Sequence, residues 1–233
     1  MPPQTVSSKR RDAEVNLDPI ALRRHPELAA RIADAIAFWS RIESILGSIL
    51  GRMLGSQARP SIAMYEAIRS SQVQMDVLEA AANAALSPEN LEVFNPLLVA
   101  VKHAGAARHK IAHWLWADSR DFPDNLILVN PDALTEFEKK ISDDTASLER
   151  GVVPQSYPTV DLKLAFIWEE EHFADLIDEL NDVYHLTLRF SALVTHGGKV
   201  SVPADDQLRA HLLAAPRIRE ALRRKGGSNP DGQ

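Results

Sequence analysis

Residues 26–53, PELAARIADAIAFWSRIESILGSILGRM, decide the fold class of this chain. Apolar side chains recur in this stretch every three or four residues, which is the period of an amphipathic α-helix. The stretch therefore predicts one long helix that begins near Pro26 and buries one face. The recurring positions are Leu28, Ile32, Ile36, Trp39, Ile42, Leu46, Ile49, Leu50 and Met53.

Three more segments have the same period. One lies between Pro60 and Pro88, and another begins after Ser87, which is a suitable helix N-cap. A fourth long helix is predicted from Glu169, where three consecutive glutamates favour the positive end of a helix, and it should stop at Gly197-Gly198. Long helices with short connections are expected to pack antiparallel as a bundle.

The pattern changes between the third and fourth helices. Residues 125–129 and 161–167 have the composition of short strands, and a helical piece near residues 132–141 separates them. Two strands alone are only marginally stable, so we expect this two-stranded ribbon to pack against the helices. With a short helix around residues 205–224, the predicted fold is mainly α: four long helices, a two-stranded β insertion and a short C-terminal helix.

The length and composition suit one hydrophobic core, since the chain has 233 residues of which 45% are hydrophobic. We expect a flexible N-terminal arm over residues 1–25 and a single helical domain over residues 26–224. Within that domain, residues 117–168 form the insertion with the short strands. Residues 225–233 are expected to form a disordered tail.

Composition removes several classes of function. The absence of cysteine excludes a disulfide scaffold, a thiol nucleophile and thiolate metal sites. The opening residues, MPPQTVSSKRRD, have no apolar stretch behind their basic residues, and charges interrupt the most apolar helix, so neither a signal peptide nor a membrane span is predicted. We therefore expect a cytoplasmic protein without membrane contact. The net charge of −6 argues against a general polyanion binder.

Charge is nevertheless distributed unevenly. Residues 118–182 contain seventeen acids and five basic residues, and residues 209–225 contain six basic residues and one glutamate, a run typical of a solvated helix face. Residues 93–117 contain no acid at all. The basic stretch to consider for nucleic acid is therefore the middle one, with Lys102, His103, Arg108, His109, Lys110 and His113.

Three glycines lie four residues apart in the first long helix, at Gly47, Gly51 and Gly55. A glycine inside a helix costs about 0.5–1 kcal/mol relative to alanine, so close approach of another helix should compensate. That helix can belong to the same chain or to a second copy in a dimer.

Two charges fall on apolar helix faces. At about 100° per residue, Glu43 lies among Trp39 and Leu46, and Arg108 lies beside Val101. A lone buried charge is costly, whereas a hydrogen-bonded pair is tolerated. We therefore expect either that Glu43 and Arg108 meet across two helices or that each extends separately to solvent.

Residues 108–114, RHKIAHW, form the one cluster that carries chemistry. His109 and His113 are one helical turn apart, which is a metal-ligand spacing. However, Lys110 stands where a zincin helix has its glutamate, and its charge would repel a cation. We therefore predict no metal and no cofactor.

The same residues resemble the motif of the HEPN superfamily, which is arginine, a polar residue, three variable positions and histidine. Arg108 takes the arginine position, His109 the polar position and His113 the histidine position. The layout of two long helices followed by a third that ends in the motif is also similar, over roughly residues 27–116. The polar position departs from the usual pattern, since histidine there is less typical than asparagine or aspartate.

The resemblance implies an HEPN-like all-α bundle that commonly forms a homodimer. In active members it also implies a metal-independent endoribonuclease of defence, toxin-antitoxin or RNA-processing systems, with RNA as substrate and an antitoxin or another protein as partner. Arg108 and His113 would be catalytic, supported by Glu43, His109 and Lys110. The alternative is a catalytically inactive helical dimer that binds RNA, a nucleotide or a partner protein.

RNA cleavage by such a motif also has a physical basis that is independent of the resemblance, because histidine transfers protons near pH 7 and arginine stabilises phosphate charge. Arg108 and His113 lie about 140° apart on an ideal helix, so one straight helix does not aim both at one phosphate. Active members are understood to combine the motifs of two subunits in one cleft, and a kink near Gly105 would also help.

The structural alternative for this cluster is a core arginine with two surface histidines. Lys102, His103, Trp114 and Trp116 are the candidates for RNA contact, since aromatic rings stack on bases beside a basic stretch. Aromatic residues at a helix end are more often core residues, so packing is the favoured interpretation of the two tryptophans.

Overall fold

The structure is a computed structural model of the chain, and it describes residues 2–18, 20–55, 58–150, 160–195 and 203–226. Over these ranges the protein is mainly α-helical with a small antiparallel sheet, so the predicted fold class is confirmed. The helices are α1 (Val6–Lys9), α2 (Ala21–Arg24), α3 (Pro26–Met53), α4 (Ala58–Ala67), α5 (Ser71–Ala85), α6 (Pro88–His113), α7 (Asp132–Glu149), α8 (Glu170–Leu193), α9 (Pro203–Ala214) and α10 (Pro216–Gly226). The strands are β1 (Gln4–Thr5), β2 (Leu115–Ala117), β3 (Leu126–Val129) and β4 (Ala165–Trp168).

Contacts within the chain divide it into two compact units. The first contains Met1–Asp34 and Arg108–Ile177, and the second contains Ala35–Ala107 and Asp178–Gln233. The sheet and the motif belong to the first unit, and most of the helical core belongs to the second.

The long helix α3 has the predicted bounds. It begins at Pro26, where the missing backbone N–H of proline costs nothing. Its apolar positions Ile42, Leu46 and Ile49 are almost completely buried in the second unit. The helix ends at Met53, and Gly55 has a φ of 65°, a left-handed conformation that favours glycine.

The glycines at the two ends of this spacing, Gly47 and Gly55, have different structural roles. A Cβ atom on Gly47 would lie 3.0 Å from the Cα atom of Ile62, so α3 and α4 approach closely within the chain. The prediction that all three glycines are inside the helix was wrong for Gly55, which follows the last turn.

The single helix predicted between Pro60 and Pro88 is two helices, α4 and α5, so that prediction was wrong. The chain leaves the helical conformation at residues 68–70, and the Ser70 side chain accepts a hydrogen bond from the Val73 N–H at 3.4 Å. The buried Gln74 side chain donates to the carbonyl oxygens of Tyr65 and Ile68, at 3.1 and 3.0 Å. These bonds satisfy the carbonyl of Ile68, just beyond α4, and add to the bond that the Tyr65 carbonyl accepts from the Ile68 N–H.

The motif helix α6 begins as predicted. The Ser87 hydroxyl accepts a hydrogen bond from the Asn90 N–H at 3.4 Å, and Phe94 and Val101 lie on its buried face. Gly105 faces the indole of Trp39, because a Cβ atom there would lie only 2.6 Å from the Cη2 atom of the ring. The missing side chain of Gly105 thus leaves the space that the Trp39 indole occupies.

The end of the chain also differs from the prediction. In place of one short helix, α9 and α10 are separated at Ala215, and α10 extends to Gly226. The α8 helix begins within one residue of the predicted start. Its predicted stop at Gly197-Gly198 lies outside the described residues, as do residues 227–233 of the predicted tail.

The sheet has four strands in the order β1-β4-β3-β2, with all neighbours antiparallel. The predicted pair is present as β3 and β4, with Ile127 opposite Ile167. Two further strands extend the predicted pair, since β2 adds one edge directly after the motif and β1 adds the other.

The N-terminal segment, expected to be a flexible arm, is part of the first unit. Val6 is completely buried in a cluster with residues of the sheet. Asn16 and Asp118 exchange backbone hydrogen bonds, and the Arg10 guanidinium lies 2.7 Å from the Asp121 carboxylate. Arg24 pairs with Asp118 as well. These contacts tie the segment to the loop after β2.

Within the part of the chain that the structure describes, no helix combines the length and the apolar character needed to cross a membrane.

We predict that Val6→Ala lowers the free energy of unfolding by about 1–3 kcal/mol, because it leaves a small cavity in the core of the first unit. Urea denaturation measures the change, with Val73→Ala, at a position 47% exposed, as the matched control. An unchanged free energy for Val6→Ala would mean that this segment does not contribute to the core.

Gly105→Val should destabilise the protein by about 1–3 kcal/mol, since the new side chain overlaps the buried Trp39 ring. The control is Ala106→Val, which places the same β-branched residue at the next, exposed position of α6. Equal denaturation midpoints for the two variants would contradict the close contact.

Candidate functional site

The motif occupies the last turns of α6, and β2 begins two residues after the helix ends. Ile111 is 1% exposed and anchors this part of the helix in the interior. As a result, His109, Lys110 and His113 lie on the opposite, exposed surface. Apolar packing of Ile111 therefore contributes to the placement of the motif.

The structure brings the two motif histidines together. The ring centroids of His109 and His113 are 4.5 Å apart, with the ring planes inclined at 41°. Partial burial lowers the pKa of His109 below its ordinary value, and the charges of His113 and Arg108 lower this pKa further. His109 is therefore predominantly neutral at pH 7, with a ring nitrogen able to accept a proton.

Arg108 is placed differently from the histidines. Its side chain is half-buried, and the Nε atom is buried and hydrogen-bonds to no described residue, although Arg108 takes part in other interactions. Its charge is still close enough to His109 to lower the pKa of that imidazole. The buried Nε favours a structural contribution from Arg108 beside any role toward a phosphate.

Glu43 belongs to the second unit, where it is half-buried. Burial, and then the Glu43 charge, raise the pKa of Tyr65, whose hydroxyl is buried and forms no hydrogen bond with the described residues. The pairing of Glu43 with Arg108 stays a prediction.

The two tryptophans after the motif pack against aromatic residues of the same unit. The rings of Trp114 and Phe166 are 5.5 Å apart, and those of Trp116 and Phe173 are 6.2 Å apart. Lys110 Nζ lies 5.4 Å from the centre of the Trp114 ring, within cation–π range. Both tryptophans are half-buried, so these contacts favour the packing interpretation over base stacking.

Sequence reasoning did not identify these aromatic partners. Phe166 and Phe173 lie about fifty residues beyond the motif, in β4 and α8, and no local pattern links such distant positions.

The two other candidates for RNA contact belong to the second unit, where both are exposed and paired with acids. Lys102 Nζ lies 3.5 Å from a carboxylate oxygen of Glu79, and His103 Nδ1 lies 2.5 Å from a carboxylate oxygen of Glu179. These carboxylates reduce the positive charge that the pair would offer to a phosphate.

For a metal ion, the pair of His109 and His113 offers two nitrogen ligands. Among the described residues, no group of three or more histidine, aspartate or glutamate side chains is arranged to hold a metal ion.

Comparisons of the chain with protein-family models, with curated proteins and with solved structures found no match.

We predict that His109 titrates below its ordinary pKa of 6.5 and that His113→Asn moves this pKa upward. The substitution removes one cause of the depression but leaves the larger one, partial burial, so the pKa should remain below 6.5. Imidazole NMR resonances followed from pH 4 to 8 measure both values. An identical His109 pKa in the two proteins would show that the rings do not interact.

Proposed function

We propose that this chain is an HEPN-like, metal-independent endoribonuclease with its chemistry at residues 108–113. One observation carries the proposal: two exposed imidazoles, His109 and His113, lie 4.5 Å apart at the end of α6, and the pKa of one is lowered. Two neighbouring imidazoles, of which one has a lowered pKa, are suited to exchange protons with RNA near pH 7.

The proposed reaction needs only groups present in RNA and in the motif. The ribose 2′-oxygen attacks the adjacent phosphorus and forms a new P–O bond, while its proton passes to a histidine. The bond from phosphorus to the 5′-oxygen breaks, and the departing oxygen takes a proton from an imidazole. The products are a 2′,3′-cyclic phosphate and a 5′-hydroxyl, and DNA is not cut because it lacks the attacking hydroxyl.

The roles follow from placement and from the motif. His113 acts as the principal general acid and base, and the neutral His109 and the exposed Lys110 assist by contacting RNA. Arg108 stabilises the charge that builds up on phosphate oxygens. Because Arg108 and His113 diverge by about 140° on an ideal helix, we propose that two copies of the chain complete the site as a homodimer.

The charge pattern around the motif supports an anionic substrate. Residues 93–117 contain no aspartate or glutamate, so no carboxylate of this stretch competes with a phosphate. The strong salt dependence of such contacts makes RNA binding easy to follow by ionic strength.

The decisive experiment incubates the purified protein with a mixed RNA pool in EDTA and analyses the ends chemically. We expect 2′,3′-cyclic phosphate ends from the wild-type protein and a loss of at least about a hundredfold in His113→Ala, the typical effect of removing a general acid or base. The matched control is His25→Ala, which removes a half-buried histidine of the same unit outside the motif.

A second substrate tests the attacking group. RNA with a 2′-O-methyl group at each ribose should stay intact, since the nucleophile is blocked. Retained cleavage by His113→Ala, or cleavage of the methylated RNA, would contradict the mechanism. Intact RNA with the wild-type protein between pH 6 and 8 would contradict the nuclease itself.

The buried Nε of Arg108 favours a second candidate, a catalytically inactive helical dimer that binds RNA, a nucleotide or a partner protein such as an antitoxin. This candidate predicts RNA binding that weakens with salt, survives His113→Ala and is accompanied by no cleavage. Under it, Arg108→Ala should lower the stability of the protein and abolish no activity.

A further inference from the structure

A cavity of about 350 Å³ lies in the second unit, between α8 and the junction of α9 with α10. Leu212 and Ile218 are completely buried on either side of this junction, so the helices that form its walls are anchored in the core. The volume is within the range of small-molecule sites, about 300–1,000 Å³.

Arg189 supplies a cationic group to the cavity lining. Its Nη1 atom donates a hydrogen bond to the Nε2 atom of His211 at 2.8 Å. Arginine has no acceptor atom, so His211 Nε2 must be the acceptor and that nitrogen carries no proton. No carboxylate among the described residues pairs with Arg189, so no negative charge among them offsets the guanidinium.

The other cation of the lining is already neutralised. Arg217 lies 3.3 Å from a carboxylate oxygen of Asp182 and 3.7 Å from one of Glu220. His185 also lines the cavity and is exposed. Apart from its histidines, the lining therefore has one net positive charge, and that charge is on Arg189.

The remaining surface is apolar. Leu186 of α8 and the Ala214, Ala215 and Pro216 corner of the α9–α10 junction form it. A free inorganic ion would leave this surface uncovered, whereas a molecule with an apolar body would remove it from water.

We propose that this cavity is a binding site for a small organic anion. The anionic group, a phosphate or a carboxylate, binds the Arg189 guanidinium, and the apolar body lies on Leu186 and Pro216. The arginine fork suits both groups, since it presents two parallel N–H donors to a pair of oxygens. This site is independent of the proposed nuclease function.

The experiment titrates four probes into the full-length protein and follows backbone amide NMR resonances. Phenyl phosphate and benzoate combine charge with an apolar body, inorganic phosphate has charge alone, and phenol has the body alone. We expect phenyl phosphate or benzoate to bind at least about tenfold more tightly than either single-feature probe. The tighter of these two identifies the anionic group, and shifts should cluster at residues 185–189 and 211–217.

The decisive variant is Arg189→Gln, which removes the charge but keeps hydrogen-bonding capacity. It should weaken binding at least about tenfold, because the charge-assisted hydrogen bonds from the guanidinium to the anionic group are lost. The control is Arg223→Gln, an exposed arginine of α10 that does not line the cavity. Arg189 is itself exposed, so neither variant should affect folding.

Two results would overturn the site. One is equal weakening by Arg189→Gln and Arg223→Gln, which would indicate general attraction between the probe and a basic surface. The other is binding of phenol or inorganic phosphate as tight as that of phenyl phosphate and benzoate, which would show that the cavity does not recognise charge and body together.

Discussion

The position of α6 depends on one contact, the indole of Trp39 against the bare backbone of Gly105. The large ring fills the space that a side chain at residue 105 would need, so α3 and α6 lie as close as two helices with an aromatic ring between them can. The motif is in the last turns of this same helix, where Ile111 is buried and β2 follows almost at once. Within the first unit, the burial of Ile111 places His109 and His113 on the exposed side of the helix.

Elements with local signals were predictable, and elements without them were not. The apolar periodicity and the end signals of α3 and α6 come from residues that are close in sequence. The same is true of the composition that predicts β3 and β4. The break between α4 and α5 was hidden, because Ile68 and Met75 are seven residues apart, about two helical turns, and the apolar period continues across the gap. The edge strands β1 and β2 have only two and three residues, and partners far along the chain define them. No periodic sequence pattern therefore predicts them.

The same distinction applies to the candidate site. The spacing of His109 and His113 predicted that they would be neighbours on one helix face, and their rings are in contact range. The surroundings came from distant elements: Glu79 and Glu179 beside Lys102 and His103, and the aromatic partners of the tryptophans. Tertiary structure therefore assigns these charges and rings to ion pairs and packing, and it concentrates the available chemistry on fewer residues than the sequence suggested.

The strand order has a consequence for how the protein is made. Gln4 pairs with Ile167, about 160 residues later, and β4 lies between β1 and β3 in the sheet. During translation at about 5–20 residues per second, β1 has no partner for roughly 8–30 s after it is synthesised. Through that interval the backbone edge of β1 stays unpaired, and the cluster around Val6 lacks its β4 members, Ala165 and Ile167. The sheet is completed only after α3 and α6 have been synthesised.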